Sequence, residues 1–311
     1  MSELLIEENV LLAPLTTFKI GGPAKYFVQV ATTEALMMAI KLAKKNSWSV
    51  FILAGGSNLI VSDRGFAGLV IAINITGWEI KGYQVTSAPS TTMKELVDAS
   101  IEEELEGLEW AGGLPGSFGG AVRGNAGCFG SEMKDIITSV ESINIETGET
   151  VTRTHDDCQF EYRGSYYKYH PEIIISATMQ LRPGDKVKLR QMADEHIEYR
   201  KNRQPLEYPN AGSIFKNVPL ERVPKEHLPL FAEAIKNDPF PIVPSAKIIA
   251  VAGLKGMRVG DAQLSEKHSN YIVNLGQAKA SDIVTLIEKI KEEIKNKYQI
   301  DLEVEPQLVG F

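Results

Sequence analysis

The chain has 311 residues, 43% of them hydrophobic and 23% charged, with a formal net charge of −7 and a pI near 5.4. That length buries a sizeable core and suits two or three lobes, and an acidic balance argues against nucleic acid as a partner, which would call for a basic surplus. Two cysteines, Cys128 and Cys158, make neither a disulfide framework nor a zinc site, and five scattered histidines carry no metal-ligand spacing. Residues 1–10 carry acids in place of a basic head before an apolar run, and no apolar segment reaches the length of a membrane span. The expectation is a cytoplasmic protein without a membrane partner.

In chain order, residues 15–30 set a Gly-Gly-Pro turn between two short β-prone segments. Thr33–Asn46 places Leu36, Met37, Ile40 and Ala43 on one helical face, with Thr32 or Thr33 available as a cap. Val50–Leu53 is a short apolar strand that runs into Ala54-Gly55-Gly56-Ser57-Asn58, and Leu69–Ile73 is another strand. This order makes an α/β unit of the sort that presents a phosphate at its glycine turn. Thr91–Leu105 reads as a second helix with Met93, Leu96, Val97 and Ile101 as its stripe.

The densest signal follows. Nine of the chain's 26 glycines fall between Gly107 and Gly130. With one Ser, one Asn and one Arg among them, this composition suits a ligand rich in acceptor oxygens, because bare N–H groups can turn inward as a nest. A flexible linker would be polar throughout, whereas Trp110, Leu114, Phe118, Val122 and Phe129 are spaced along the run.

Strands resume at Ile136–Ile145 and Ile173–Leu181, the second closed by Arg182-Pro183-Gly184-Asp185. Asp185–Gln204 reads as a helix with Leu189, Met192, His196 and Tyr199 on one face, and a domain boundary is expected near its start. Residues 205–244 are proline-rich and poor in periodicity. Ser281 is expected to cap a long amphipathic helix with Ile283, Ile287, Ile290 and Ile294 inward, and Ile300–Val309 reads as a closing strand.

Several nucleotide sites are excluded, since the chain has no G-x-x-x-x-G-K-[ST] and no strand-linked G-x-G-x-x-G with an acid about twenty residues on. A G-x-S-x-G elbow is also missing. What remains are glycine turns at Gly21-Gly22, Gly55-Gly56, Gly112-Gly113 and Gly119-Gly120. These could serve one long ligand, such as a flavin dinucleotide.

Seven strings then carry a resemblance: T-F-K-I-G-G-P-A at 17–24, L-A-G-G-S-N-L-I-V at 53–61, G-L-P-G-S-F-G-G-A-V-R-G-N-A-G at 113–127, E-Y-R-G-S at 161–165, N-A-G-S-I-F-K-N at 210–217, the run from Gly253 to Asn274, and L-E-V-E-P-Q-L-V-G at 302–310. In this order they cover nearly the whole chain, which resembles the MurB family of UDP-N-acetylenolpyruvoylglucosamine reductases. Leu181 passes through Arg-Pro-Gly-Asp directly into the next helix, with no inserted tyrosine-bearing segment, so the resemblance is to the shorter type II form.

The resemblance implies an α+β chain with an FAD-binding domain of the PCMH type over 1–185, in two α/β lobes of about 1–75 and 76–185. A C-terminal α+β substrate-binding domain would cover 186–311. It implies non-covalent FAD, because position 57 is Ser and not the His or Cys of relatives that attach flavin covalently. The cofactor would be held by Gly55, Gly56, Ser57, Asn58 and Leu59, and by Gly113, Pro115, Gly116, Ser117, Gly119, Gly120, Asn125 and Ala126. NADPH would be the co-substrate in a ping-pong scheme.

By the same resemblance Ser213 is the proton donor, Arg163 polarises the substrate carboxylate and Glu305 assists as an acid. The family more often has Glu-Val-Arg where this chain has Glu305-Pro306-Gln307, and Glu303 is the fallback carboxylate. Arg203, Asn217 and Asn270 are expected to contact the UDP sugar. A monomer is expected. Another PCMH-type flavin oxidoreductase would share the glycine turns without needing the Asn-Ala-Gly-Ser serine, and a non-catalytic nucleotide-sugar binder would purify colourless.

Overall fold

In the computed structural model, residues 4–238 and 240–311 are described. Packing divides them into two units: one of Ala24–Gly55, Ala67–Arg200 and the described residues up to Val10, the other of Leu11–Pro23, Gly56–Phe66 and Lys201–Phe311.

The first unit contains two sheets. One has four strands in the order Glu7–Leu11, Pro23–Val30, Phe66–Ile73, Val50–Leu53, the last two parallel. Helix Thr33–Lys45 covers it, with Leu36, Ala39 and Ile40 buried against Val28, Val30, Leu69 and Ile71. Thr32 is its cap, its hydroxyl accepting from Ala35 N at 3.2 Å, so the strand–helix–strand expectation holds with its first-named cap.

The other sheet runs Thr150–Thr154, Ile137–Asn144, Glu172–Gln180, Gln84–Ser87, Trp78–Lys81, antiparallel throughout. Helix Met93–Glu102 packs on it through the expected stripe and opens with a Thr92–Glu95 capping box. It stops short of the expected Leu105 because Glu104 turns to φ +58° and Leu105 pairs with Pro183 instead.

Helix Lys186–Arg203 forms where expected, but its inward face is different. Leu189, Ala193 and Arg200 are buried, whereas Met192 and Tyr199 are exposed. The true stripe follows i, i+4 and i+11 and includes an arginine, which an apolar pattern passes over.

The second unit is organised around helix Ala280–Tyr298, whose Ile283, Ile287, Ile290 and Ile294 are all buried as expected. They pack with Ile248, Ile249, Phe215 and Leu302 and with the short antiparallel sheet Arg258–Val259, Ala262–Leu264, Ile272–Asn274. Ser281 lies inside this helix and is not its cap. The Asp63 carboxylate takes the N–H groups of Ala280 and Ser281 at 2.7 and 3.0 Å, and Asp282 takes that of Lys279. A charged acceptor at the positive end of a helix satisfies the same orphan donors more strongly than a local hydroxyl.

The expected closing strand is shorter, Gln307–Val309, parallel to Leu59–Val61. Pro306 lacks an N–H and ends the ladder, leaving Val304 in a single bridge with Phe215. Among the described residues no helix is long and apolar enough to cross a membrane, and no group of His, Cys, Asp and Glu could hold a metal ion.

Candidate active site

In the first unit the glycine stretch is folded. Gly116 O accepts from Met93 N, Phe118 N donates to Thr91 O, and Gly119 N donates to Pro89 O. Helix Phe118–Arg123 then begins, with Ser117 as its cap. The glycines divide by task. Gly112 lies where any Cβ would meet the Ala193 carbonyl oxygen at 2.4 Å, so it serves close helix packing.

Gly55 is different. It is exposed, and a Cβ there would lie 3.0 Å from Gly116 Cα and 3.1 Å from Ser117 N. Gly55 of the second motif string therefore meets the third string with no side chain between their main chains. Among the described residues the N–H groups of Gly55, Gly56, Ser57 and Asn58 donate to no protein acceptor. Such a run of open donors beside a cradle that a Cβ would fill matches a pyrophosphate's acceptor oxygens. These residues fit an FAD.

Arg200 is the buried tie of this loop. It is 7% exposed, donates Nε to Gly112 O at 2.9 Å and points its second nitrogen at Cys128 Sγ, 2.9 Å away. Burial pushes the Cys128 thiol above its ordinary pKa despite Arg200 and Arg163 nearby, so it is a neutral packing group. Arg200 was discoverable only as a position seven and eleven residues along from the buried Ala193 and Leu189.

Arg163 sits in a tight turn closed by Glu161 N to Gly164 O (3.0 Å) and Gly164 N to Glu161 O (3.1 Å). A Cβ at Gly164 would fall 2.6 Å from Glu161 Oε1. Arg163 itself has φ +59°, an uncommon backbone for a non-glycine residue. Its guanidinium donates to Gly127 O at 3.0 Å and lies over the Tyr162 ring. Asn125, fully buried, donates to Glu161 O at 2.9 Å and to Glu132 Oε2, and accepts from Lys134 N. The Arg-Gly-Ser turn and the glycine stretch are thus one structure, with the Asn125 side chain committed to joining them.

The tyrosines that follow are also committed. Tyr167 is buried beside Cys158, Tyr169 donates to Glu161 Oε1 at 2.6 Å, and Tyr166 lies between Arg153 and His170.

In the second unit the Asn-Ala-Gly-Ser segment is pinned on both sides. Asn210 O accepts from the Thr17 hydroxyl at 2.7 Å, and Asn210 Oδ1 accepts from Gly212 N at 2.9 Å. Gly212 turns through φ +78°. Beyond Ser213, Ile214 N donates to Asn270 O at 2.8 Å, while Ile214 O accepts from Glu305 N at 2.8 Å. Lys216 N donates to Glu303 O. The chain around Ser213 is therefore paired with the chain around Glu305.

Ser213 is half-buried, and its hydroxyl has no hydrogen-bond partner among the described residues. Glu305 is half-buried, whereas Glu303 is exposed and held by Arg222 at 2.5 Å and Lys216 at 3.4 Å. Arg222 chiefly, with Lys216, keeps the Glu303 carboxyl below its usual pKa. Asn270 is 3% exposed, and both ends of its amide are on Phe215: Oδ1 accepts from Phe215 N at 3.0 Å and Nδ2 donates to Phe215 O at 2.8 Å. Asn217 Oδ1 accepts from Ser245 N, and Arg203 is the exposed last residue of its helix.

A family model for the C-terminal domain of UDP-N-acetylenolpyruvoylglucosamine reductase matches residues 204–309, and one for an FAD binding domain matches 24–154. The chain is 38% identical to the UDP-N-acetylenolpyruvoylglucosamine reductase of Carboxydothermus hydrogenoformans, covering 97% of this chain and 93% of that one. It is 35% identical to the same enzyme of Clostridium novyi, over 98% and 92%. The crystal structure of the Thermus caldophilus reductase superposes with a TM-score of 0.79 at 30% identity, covering 99% of this chain and 100% of that one.

Proposed function

The chain belongs to the UDP-N-acetylenolpyruvoylglucosamine reductase family, and from that premise we propose how its own residues carry the reaction. It is an FAD-dependent oxidoreductase of peptidoglycan precursor synthesis that reduces UDP-N-acetylenolpyruvoylglucosamine to UDP-N-acetylmuramate. When bound, FAD supplies the hydride that C3 of the enol ether receives. We propose NADPH as the reductant, a cytoplasmic monomer as the working form, and a functional division into an FAD part at 1–185 and a substrate part at 186–311.

The residues that would hold FAD are Gly55–Leu59 and Gly113, Pro115, Gly116, Ser117, Gly119, Gly120 and Ala126, supported by the open donors beside the Gly55 cradle. Asn125 would act through the Arg163 turn. Arg163 would hold the substrate carboxylate, where negative charge grows as C3 is reduced. A fork of donors anchored on Gly127 O needs little reorganisation to meet it.

Ser213 Oγ would then give its proton to C2. A hydroxyl is a weak acid, so its effect comes from being held at the right place. The observation that carries this reading is a free, half-buried hydroxyl on a segment fixed at both ends. Glu305 would assist at the carboxylate as an acid. Its half-buried position supports that choice over Glu303, which Arg222 and Lys216 keep ionised. Arg203 would meet the diphosphate and Asn217 the sugar. We give Asn270 a supporting part, because its amide is already used on Phe215.

An anaerobic titration tests the reading. Bound flavin should bleach with NADPH, and its colour should return when the enolpyruvyl UDP sugar is added. Colour restored by oxygen alone would leave the cofactor and remove the substrate.

A further inference from the structure

We propose that Asn270 is the positioning residue for the proton donor, a part resting on the assignment of Ser213 above. Three hydrogen bonds from this one residue fix the two that follow Ser213: its carbonyl takes Ile214 N, its Oδ1 takes Phe215 N, and its Nδ2 gives to Phe215 O. At neutral pH an Asp of the same length would be ionised and accept only, whereas the amide presents both an acceptor and a donor to one residue's main chain. The clamp is buried and anchored in turn, since Ser269 donates its hydroxyl to Ala246 O and Asn270 N donates to His268 Nδ1 at 3.3 Å. Burial also holds His268 below its usual pKa, so that ring stays a neutral acceptor near neutral pH.

The opposite face of the same segment carries Glu305, through its N–H on Ile214 O. Loosening Phe215 would therefore shift Ser213 and slacken its register with Glu305. Displacement of a reacting group by about an ångström costs on the order of 100-fold in rate.

The test separates the two halves of turnover in the flavin-loaded protein. Asn270→Ala should leave flavin content and bleaching by NADPH unchanged, and slow reoxidation by the enolpyruvyl sugar by about 10- to 100-fold. In a Ser213→Ala background the same change should slow it no further, because Asn270 acts only through that hydroxyl. Amide exchange at Phe215 should lose its protection in Asn270→Ala, a readout independent of activity.

Asn270→Asp carries the test should Ala fail to fold. An ionised carboxylate cannot donate to Phe215 O, but a protonated one accepts and donates as the amide does. Reoxidation by this variant should therefore recover as pH falls, over a range where the unaltered protein gains nothing. An equal loss in the Ser213→Ala background, a normal rate in Asn270→Ala, or an Asn270→Asp pH profile parallel to the parent would overturn the proposal. If Ser213→Ala itself reoxidised normally, the proton-donor assignment would fall first and the proposal with it.

Discussion

Ser213, Arg163 and Glu305 show how unevenly single residues can be read. Their types and strings were legible, but nothing in the string distinguishes a serine whose hydroxyl is free from one that serves a turn. Ser213→Ala should slow sugar-driven reoxidation by about 100- to 10,000-fold while flavin binding is retained, as rapid-mixing absorbance would record. Arg163→Lys keeps the charge and loses the fork on Gly127 O, and kcat/KM should drop by about 100-fold. Glu305→Gln, at a half-buried carboxylate, should cost more activity than Glu303→Gln, at an exposed one. Equal losses would remove the distinction between them. At Gly55 an added methyl would crowd the main chain at Gly116 and Ser117. Gly55→Ala should therefore weaken FAD retention on gel filtration without lowering the melting temperature of the apoprotein. Asn125 and Asn270 were expected to face ligands. Each is instead buried with its amide hydrogen-bonded inside the protein, to main chain and, for Asn125, to Glu132 as well, which only distant partners reveal.

Among the elements, periodic ones were read well and their ends less well. The stripes of helices Thr33–Lys45, Met93–Glu102 and Ala280–Tyr298 emerged as expected, because a repeat of apolar residues is a local property. Helix Lys186–Arg203 deceived the pattern, since its buried face includes Arg200, whose charge is met by Gly112 O beside Cys128 and Phe129. The start of helix Ala280–Tyr298 was assigned to Ser281 because its capping acid is more than two hundred positions away. Asp63→Ala should destabilise the protein by about 1–2 kcal/mol in urea unfolding. A loss no larger than that of a surface substitution would mean that water serves those N–H groups equally well.

For the molecule as a whole, several carboxylates titrate below their ordinary range. At Glu172 the Arg153 side chain is the largest cause, joined by Ser142 against an opposing burial effect. At Asp63 burial is the largest single influence and opposes the shift, yet the hydrogen bonds of Ser281 and Ala280 together outweigh it. A depressed folded-state pKa means that the unfolded chain binds protons first. These groups thus contribute stability above their ordinary values, 4.5 for Glu172 and 3.8 for Asp63, and lose it as pH falls through their lower folded values. The melting temperature should hold steady toward neutral pH and decline below about pH 4.5. Glu172→Gln should flatten that decline and lower stability near neutrality. An unchanged slope would assign the acid sensitivity to other groups.

The sequence by itself determined the family, the α+β class, three apolar helix stripes, and the strings in which the candidate site lies. These depend on neighbours within a few positions, or on order along the chain. The tertiary structure alone decided what each glycine stands against, the Gly116–Ser117 main chain at Gly55 and the Ala193 carbonyl at Gly112. It also decided that Leu59–Val61 and Gln307–Val309 pair, that Asp63 caps a late helix, and that Asn270 holds the segment after Ser213. Each of these joins residues far apart in the chain through directional hydrogen bonds or close packing, and composition and periodicity carry no record of such partners.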